Sequence, residues 1–191
     1  MAKLYFSYAA MNAGKSTILL QAAFNYREQG MQALIFTSAH HADLDDGRIV
    51  SRIGISADAH IFHPDDDLFA VIAGIHGKTP QDCVLVDEAQ FLSRDQVWQL
   101  ARVADELKIP VLAYGLRTDF RGQLFEGSAQ LLAIADSLRE IRTICHCGAK
   151  ATMVIRLDES GNAAREGDTV GVDRDTYASL CRRHWVEATS R

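Results

Sequence analysis

No apolar stretch in this chain of 191 residues approaches the ~18–20 residues that a membrane-crossing helix needs, so no such helix is expected. Positive charge is also short. The 20 lysines and arginines face 25 aspartates and glutamates, for a formal charge of −5, which argues against a main task of neutralising phosphate backbones. Internal repeats and low-complexity tracts are missing. With 48% hydrophobic and 24% charged residues, the composition excludes general disorder. The apolar residues 4–10 are few, broken by Ser7, and followed by Asn12-Ala13-Gly14-Lys15, which is no signal cleavage context. Only four cysteines occur. Without a secretory signal they point to a reducing compartment, where clustered thiols more often hold metal than form disulfides. A soluble cytoplasmic protein of one ordinary domain with a small annex is expected.

What is present is alternation. Residues 3–8, 32–37, 83–87 and 111–115 are compact apolar runs of strand type, and helical spacing separates them. From Ser16, apolar Ile18, Leu19, Ala22, Ala23 and Tyr26 recur on one face, and Gly30 stands where a C-cap glycine belongs. Residues 39–58 are polar and acidic and read as a surface loop, 59–63 as a short strand, and 65–75 as a helix opened by acidic residues. Ser93 is placed to cap a helix running to about Lys108, which Ile109-Pro110 stops. Strands apolar throughout and separated by helices imply an α/β fold, with a mostly parallel sheet covered on both faces. The character changes after about Asp136. We therefore divide the chain into a nucleotide-binding domain of residues 1–138, a metal-binding ribbon of 139–187 with a hairpin turn at 158–162, and a tail of 188–191. The ribbon is too small to rely on an apolar core and needs a staple.

The segment Ala9-Ala10-Met11-Asn12-Ala13-Gly14-Lys15-Ser16-Thr17 lies between the first strand and the first helix, where a phosphate-binding Walker A loop belongs. Backbone N–H groups would converge on the anion, Gly14 would allow close approach, and Lys15 would meet the β/γ-phosphate charge. Ser16 would offer its hydroxyl to Mg²⁺ at the positive end of the helix. Ala9 stands where the pattern has its first glycine. The partner motif is Cys83-Val-Leu-Val-Asp87-Glu88. Asp87, at the C-terminal end of a buried strand, suits Mg²⁺ coordination through water, and Glu88 beside it can take a proton from an attacking hydroxyl. Together they predict a nucleoside triphosphate site with Mg²⁺. An ATPase would use Glu88 on water and a kinase on a substrate hydroxyl. The acidic chain, without a basic stripe, favours the kinase.

Met11 within the loop, Asp87-Glu88-Ala89-Gln90-Phe91, Tyr114-Gly115-Leu116-Arg117-Thr118-Asp119-Phe120-Arg121-Gly122 and the later cysteines and histidine, in this order, resemble type II thymidine kinase, the cellular and bacterial form. The resemblance covers about residues 4–185. It implies a RecA-like P-loop domain with a zinc ribbon, and transfer of the γ-phosphate of ATP to the 5′-hydroxyl of thymidine, with deoxyuridine as a second substrate. It makes Glu88 the general base, and sets Lys15, Ser16 and Asp87, with the rest of the loop and Gln90, around the nucleotide and Mg²⁺. Met11, Phe91 and Phe120 would line the base pocket. Tyr177 and the loop before it, including Val170, Gly171 and Val172, would wrap the thymine through main-chain groups. Relatives commonly carry Ile-Gly-Gly or similar there, which bears on the individual backbone contacts. Among Arg52, Arg117 and Arg121 as neutralisers of transition-state charge, the resemblance favours Arg52. The segment 116–127 is expected as a lid over the acceptor. A homotetramer and inhibition by thymidine triphosphate are further implications.

Cys145-His146-Cys147 and, after 33 intervening residues, Cys181-Arg182-Arg183-His184 offer three sulfurs and a nitrogen to a tetrahedral Zn²⁺. His146 competes with His184 as the nitrogen ligand, while a Cys145–Cys147 disulfide would be strained. The resemblance places Cys145, Cys147, Cys181 and His184 on a structural ribbon. With four protein ligands no position is open for catalysis. Cys83 heads a buried strand and reads as core. A rival reading, an ATP-driven nucleic-acid module with the ribbon as its contact, needs a basic ribbon face. Residues 139–184 carry eight basic against seven acidic side chains, so no membrane or nucleic-acid partner is expected.

Overall fold

In the strands of the main sheet, successive side chains face opposite sides, and the computed structural model sorts them into two cores accordingly. It describes residues 1–40, 47–157, 163–164 and 177–190. Strands β1 (Leu4–Ala9), β2 (Ala33–Ser38), β5 (His60–Phe62), β6 (Cys83–Val86), β7 (Val111–Leu116) and β8 (Ser137–Glu140) form one sheet in the order β5-β2-β6-β7-β1-β8. Every pairing in it is parallel. Phe6, Phe36, Val84, Val86, Val111 and Ala113 face helices α2 (Leu68–Lys78), α3 (Arg94–Glu106) and α4 (Glu126–Ile134). Ile35, Leu85 and Tyr114 face α1 (Lys15–Glu28), meeting Leu19, Leu20 and Ala23. These large apolar side chains are almost fully removed from water, and at ~25 cal/mol per Å² such burial is the main term holding the sheet together.

Local chemistry explains the helix ends. Ser93 and Gln96 form a reciprocal capping box at the start of α3. Gly30, with φ +74, donates its N–H to Arg27 O at 3.0 Å and closes α1 in a left-handed turn. The expected helix over 65–75 begins later, at Leu68, because Asp66 is engaged by His63 N–H (2.7 Å) and Asp67 is the residue that caps, accepting from Ala70 N–H at 3.0 Å.

Three further segments bear on what the sequence leads one to expect. The polar stretch 39–58 holds an antiparallel hairpin, β3 (Arg48–Val50) on β4 (Ser56–Asp58), because Ile49 and Ser51 alternate inward between exposed neighbours. The boundary set at 138/139 falls inside β8, whose parallel pairing with β1 carries the main sheet through Glu140. The segment 116–127, expected as a lid, contains a turn closed on Asp119. That buried carboxylate accepts from Arg121 N–H (2.9 Å), Gln123 N–H (2.8 Å) and Arg121 Nε (2.9 Å).

The annex comprises β9 (Thr143–Ile144), β10 (Lys150–Ala151), β11 (Met153–Arg156), β12 (Tyr177–Leu180) and helix α5 (Arg182–Thr189). Among the described residues its apolar core is small: Cys145, Ala151, Ile155 and Leu180, with Trp185 beside them. Hydrogen bonds dock it on the main sheet unit. The Trp185 indole N–H is shared between Phe120 O (3.2 Å) and Val154 O (3.0 Å), Arg117 donates to Thr152 O at 3.0 Å, and the Ser179 hydroxyl donates to Met11 O at 2.5 Å. The expected hairpin turn at 158–162 lies outside the described residues.

Gly127, in the first turn of α4, marks the tightest packing behind the site. A Cβ there would stand 2.6 Å from Ala89 O, 2.7 Å from Leu92 O and 3.0 Å from Gln90 O. All three are backbone atoms of the turn that follows Asp87 and Glu88. Gly127→Ala is therefore expected to cost about 1–3 kcal/mol, as overpacking does, and to lower Tm by roughly 3–10 °C at this chain length. Calorimetry checks this, and an unchanged Tm would show α4 to be loosely seated.

Candidate active site

The site lies beyond the carboxyl ends of the parallel strands, where open α/β sheets place their ligands. After β1 the chain turns through Asn12 (φ 62) and Gly14 (φ 82) into α1. Asn12 tolerates the left-handed region better than most side chains, and glycine has no Cβ to clash there. The first N–H groups of α1 and its partial positive charge thus point into a cavity of about 270 Å³. Residues 11–17, Thr37, residues 48–53, Asp87, Glu88 and Leu116 line it.

Three charges meet on one side of this cavity. Lys15 is 8% exposed. Burial lowers its pKa, the nearby Glu88 and Asp87 carboxylates raise it, and Arg52 lowers it. Asp87 is 3% exposed. Burial, and then the charge of Glu88, hold it above the ordinary carboxylate range, while the Ser16 hydroxyl bonded to it and Lys15 pull the other way. A buried carboxylate so penalised is a strong acceptor for a cation. Glu88 follows with left-handed backbone, φ 52 and ψ 37, which is uncommon for a residue with a side chain. Its Oε2 accepts from Gln90 Nε2 at 2.5 Å. Ser16 and Asp87 offer adjacent oxygen donors of the type that a hard divalent cation takes. The set can cradle a polyphosphate, neutralise it with Lys15, and take up a proton at Glu88.

Met11, Asn12, Ala13, Gly14, Lys15, Ser16, Thr17, Arg52, Asp87 and Glu88 thus line one cavity. Ala9 and Ala10 are buried behind the loop. Gln90, expected with the nucleotide, is buried and bonded to Glu88 and to Leu116 N–H (2.9 Å). Phe91, Phe120 and Tyr177 do not line this cavity. Phe91 packs with His40 (4.8 Å between ring centroids) and Phe125 (5.8 Å), Phe120 is buried under the guanidinium groups of Arg121 and Arg156, and Tyr177 opens β12 opposite Arg156. Val170, Gly171 and Val172 fall outside the described residues. Of the three arginines, Arg117 serves Thr152 O and Arg121 serves Asp119, whereas Arg52 reaches the cavity wall. Thr37 is not singled out by the sequence, and Leu116 enters only within the motif 114–122. For Ser51 the alternation of Arg48-Ile49-Val50-Ser51 adds to its place beside Arg52.

The second constellation is in the annex. Cys145 and Cys147 flank a tight turn that Gly148 (φ +81) closes, Gly148 N–H donating to Cys145 O at 2.8 Å. Cys181 is the N-cap of α5 and His184 lies in its first turn. The four ligand atoms all fall within 4.8 Å of one another. His184 Nδ1 is 3.3 Å from Cys145 Sγ and 3.4 Å from Cys181 Sγ, and Cys147 Sγ is 4.0 Å from Cys181 Sγ. A tetrahedral zinc with Zn–S of about 2.3 Å and Zn–N of about 2.0 Å has ligand-to-ligand edges of roughly 3.5–3.8 Å, so the donor set fits that ion. Burial disfavours the Cys145 thiolate, but the N–H groups of Cys147 and Cys181 and the His184 ring outweigh it, bringing the thiol to about 6. His146, the rival nitrogen ligand, stands beside the set with its ring 4.3 Å from that of His184.

Comparison with known proteins shows the family of the chain. Residues 2–185 match a family model described as thymidine kinase. A thymidine kinase of Mesorhizobium japonicum is 60% identical over 191 residues, covering 100% of this chain and 94% of that one. One of Ruegeria pomeroyi is 64% identical over 99% of this chain and 96% of its own, and one of Vibrio cholerae is 59% identical over 100% of both.

Proposed function

The chain belongs to the thymidine kinase family, and from that membership we propose that it transfers the γ-phosphoryl group of ATP to the 5′-hydroxyl of thymidine, and of deoxyuridine as a second substrate. The observation that carries this reading is the convergence of Lys15, Asp87 and Glu88 on one cavity at the mouth of the phosphate loop. Glu88 takes the proton of the 5′-hydroxyl, the freed oxygen attacks the γ-phosphorus, and ADP departs. Lys15 and the N–H groups at the start of α1 stabilise the charge that develops, and Arg52 adds to them from the cavity wall.

Ser16 and Asp87 would hold Mg²⁺, which when bound neutralises and orients the phosphates. Cys145, Cys147, Cys181 and His184 would hold a structural Zn²⁺. Among the described residues no helix is long and apolar enough to cross a membrane. A metal site built of thiolates supports work in a reducing compartment such as the cytoplasm. The assembly we propose is a homotetramer, on the family resemblance.

The reading is tested with γ-labelled ATP and Mg²⁺ in parallel reactions containing thymidine, deoxyuridine, deoxycytidine or no nucleoside. Label entering thymidine monophosphate, with little in the deoxycytidine reaction, is the expected result. Inorganic phosphate released equally in every reaction would make Glu88 the base of a hydrolase.

A further inference from the structure

Gln90 lies two residues beyond Glu88 in a short turn, Ala89–Phe91, and is 2% exposed. Its side-chain amide is held at both ends. The N–H of Leu116, which can only donate, meets one end at 2.9 Å, so that end is the carbonyl oxygen Oε1. The other end is therefore the donor, and it stands 2.5 Å from Oε2 of Glu88. A swapped orientation would set N–H against N–H at Leu116 and oxygen against oxygen at Glu88.

The amide has no room to turn elsewhere. Gly115 of β7 lies so close that a Cβ there would be 2.9 Å from Gln90 Oε1 and 3.0 Å from Gln90 N. Below the turn, Gly127 brings α4 into direct contact with the carbonyls of Ala89 and Gln90. Glu88 itself departs from regular backbone, with φ 52, so no helix or strand sets the direction of its side chain. What sets it is a bond to a buried neighbour that is tied to the end of the adjacent strand.

We propose that Gln90 is a positioning residue for phosphoryl transfer: by donating to Oε2 it fixes the Glu88 carboxylate and leaves Oε1 as the oxygen that receives the proton of the acceptor hydroxyl. This rests on the kinase reading above. Reacting groups lose rate steeply when misplaced, by up to about 10²-fold for a shift of 1 Å. A base whose carboxylate samples several rotamers spends little time aligned. Both hydrogen-bonding ends of Gln90 are committed to protein groups, so its contribution passes through Glu88 and is distinct from holding ATP.

The test is a double-mutant cycle. Gln90→Leu keeps approximate volume and removes both bonds, and Gln90→Glu keeps an acceptor for Leu116 N–H while removing the amide donor. Each is expected to lower kcat by roughly 10–100-fold, with the KM values for ATP and thymidine near those of the parent. In a Glu88→Gln background the same substitutions are expected to cost no further kcat, because the group they orient no longer accepts the proton. Should Gln90→Leu fail to fold, Gln90→Glu carries the same comparison. The proposal is overturned if the folded variant turns over like the parent, if the loss comes as KM, or if the loss is equally large with and without Glu88. Failure of the kinase reading is separate, since the unmodified protein would then transfer no label to thymidine.

Discussion

Glu88→Gln is expected to lower kcat by about 10²–10⁴, the usual worth of a positioned base, while ATP still binds. The substitution is nearly isosteric, and the new amide has a defined way to settle. Its carbonyl oxygen replaces Oε2 as the acceptor for Gln90 Nε2, which turns its nitrogen toward the site that Oε1 occupied. A donor then faces the acceptor hydroxyl, and the proton has nowhere to go. On the proposed reading, binding of ATP rests instead on the loop N–H groups and on Lys15, which line the cavity. Loss of Glu88 removes one of two carboxylates that favour the charged form of Lys15 and also a charge that disfavours ionised Asp87, so the two electrostatic effects oppose one another. Single-turnover transfer measured beside equilibrium binding of ATP separates the steps. Turnover near that of the parent protein would remove Glu88 from the role of base.

Much of this was legible because the chemistry is local. A phosphate cradle needs a strand, a tight turn, a lysine and a helix start within some fifteen residues, and Leu4 to Thr17 carry all of it in order. Asp87 and Glu88 were found for the same reason, at the end of a wholly apolar strand. Ala9, where the pattern has a glycine, ends β1 as a buried strand residue with no positive φ, so alanine is accommodated. What stayed hidden depends on contacts far apart in the chain. The bond from Leu116 N–H to Gln90 spans 26 residues, and a glutamine in a motif gives no sign of whether it faces a ligand or a neighbour. The hairpin β3/β4 was concealed by its charge: Arg48 and Asp58 are exposed on it and pair across it at 3.3 Å, so polar residues on the outer face outweighed the short inward alternation. Phe91 and Phe120, expected around the base by resemblance, stand in aromatic and cation–π clusters, and most of the loop expected to wrap the base with them lies outside the described residues.

The second large effect concerns the annex. Cys145→Ser is expected to abolish stoichiometric zinc, and to lower kcat/KM for thymidine by at least on the order of tenfold, the loss that even an outer-shell partner of a metal site causes. Binding of structural zinc to a small domain contributes about 10–16 kcal/mol in zinc-finger peptides, and among the described residues of the annex only a few buried apolar side chains could replace it. The damage is expected to reach the active site along a short path. Cys181 follows β12 directly, and Ser179 in that strand donates its hydroxyl to Met11 O, a carbonyl of the phosphate loop. The Trp185 indole, in the helix that carries His184, holds Phe120 O at 3.2 Å. Freed from metal, α5 and β12 lose their common anchor, and the phosphate loop loses a brace. Cys83→Ala is the control. That thiol is buried in the central sheet, away from the metal set, and burial pushes its pKa up to about 12, so it is a poor ligand. Metal analysis of the two purified variants, with kcat and KM determined separately, decides the matter. Zinc retained by Cys145→Ser would overturn the ligand assignment, and zinc lost with unchanged kcat/KM would uncouple the annex from catalysis.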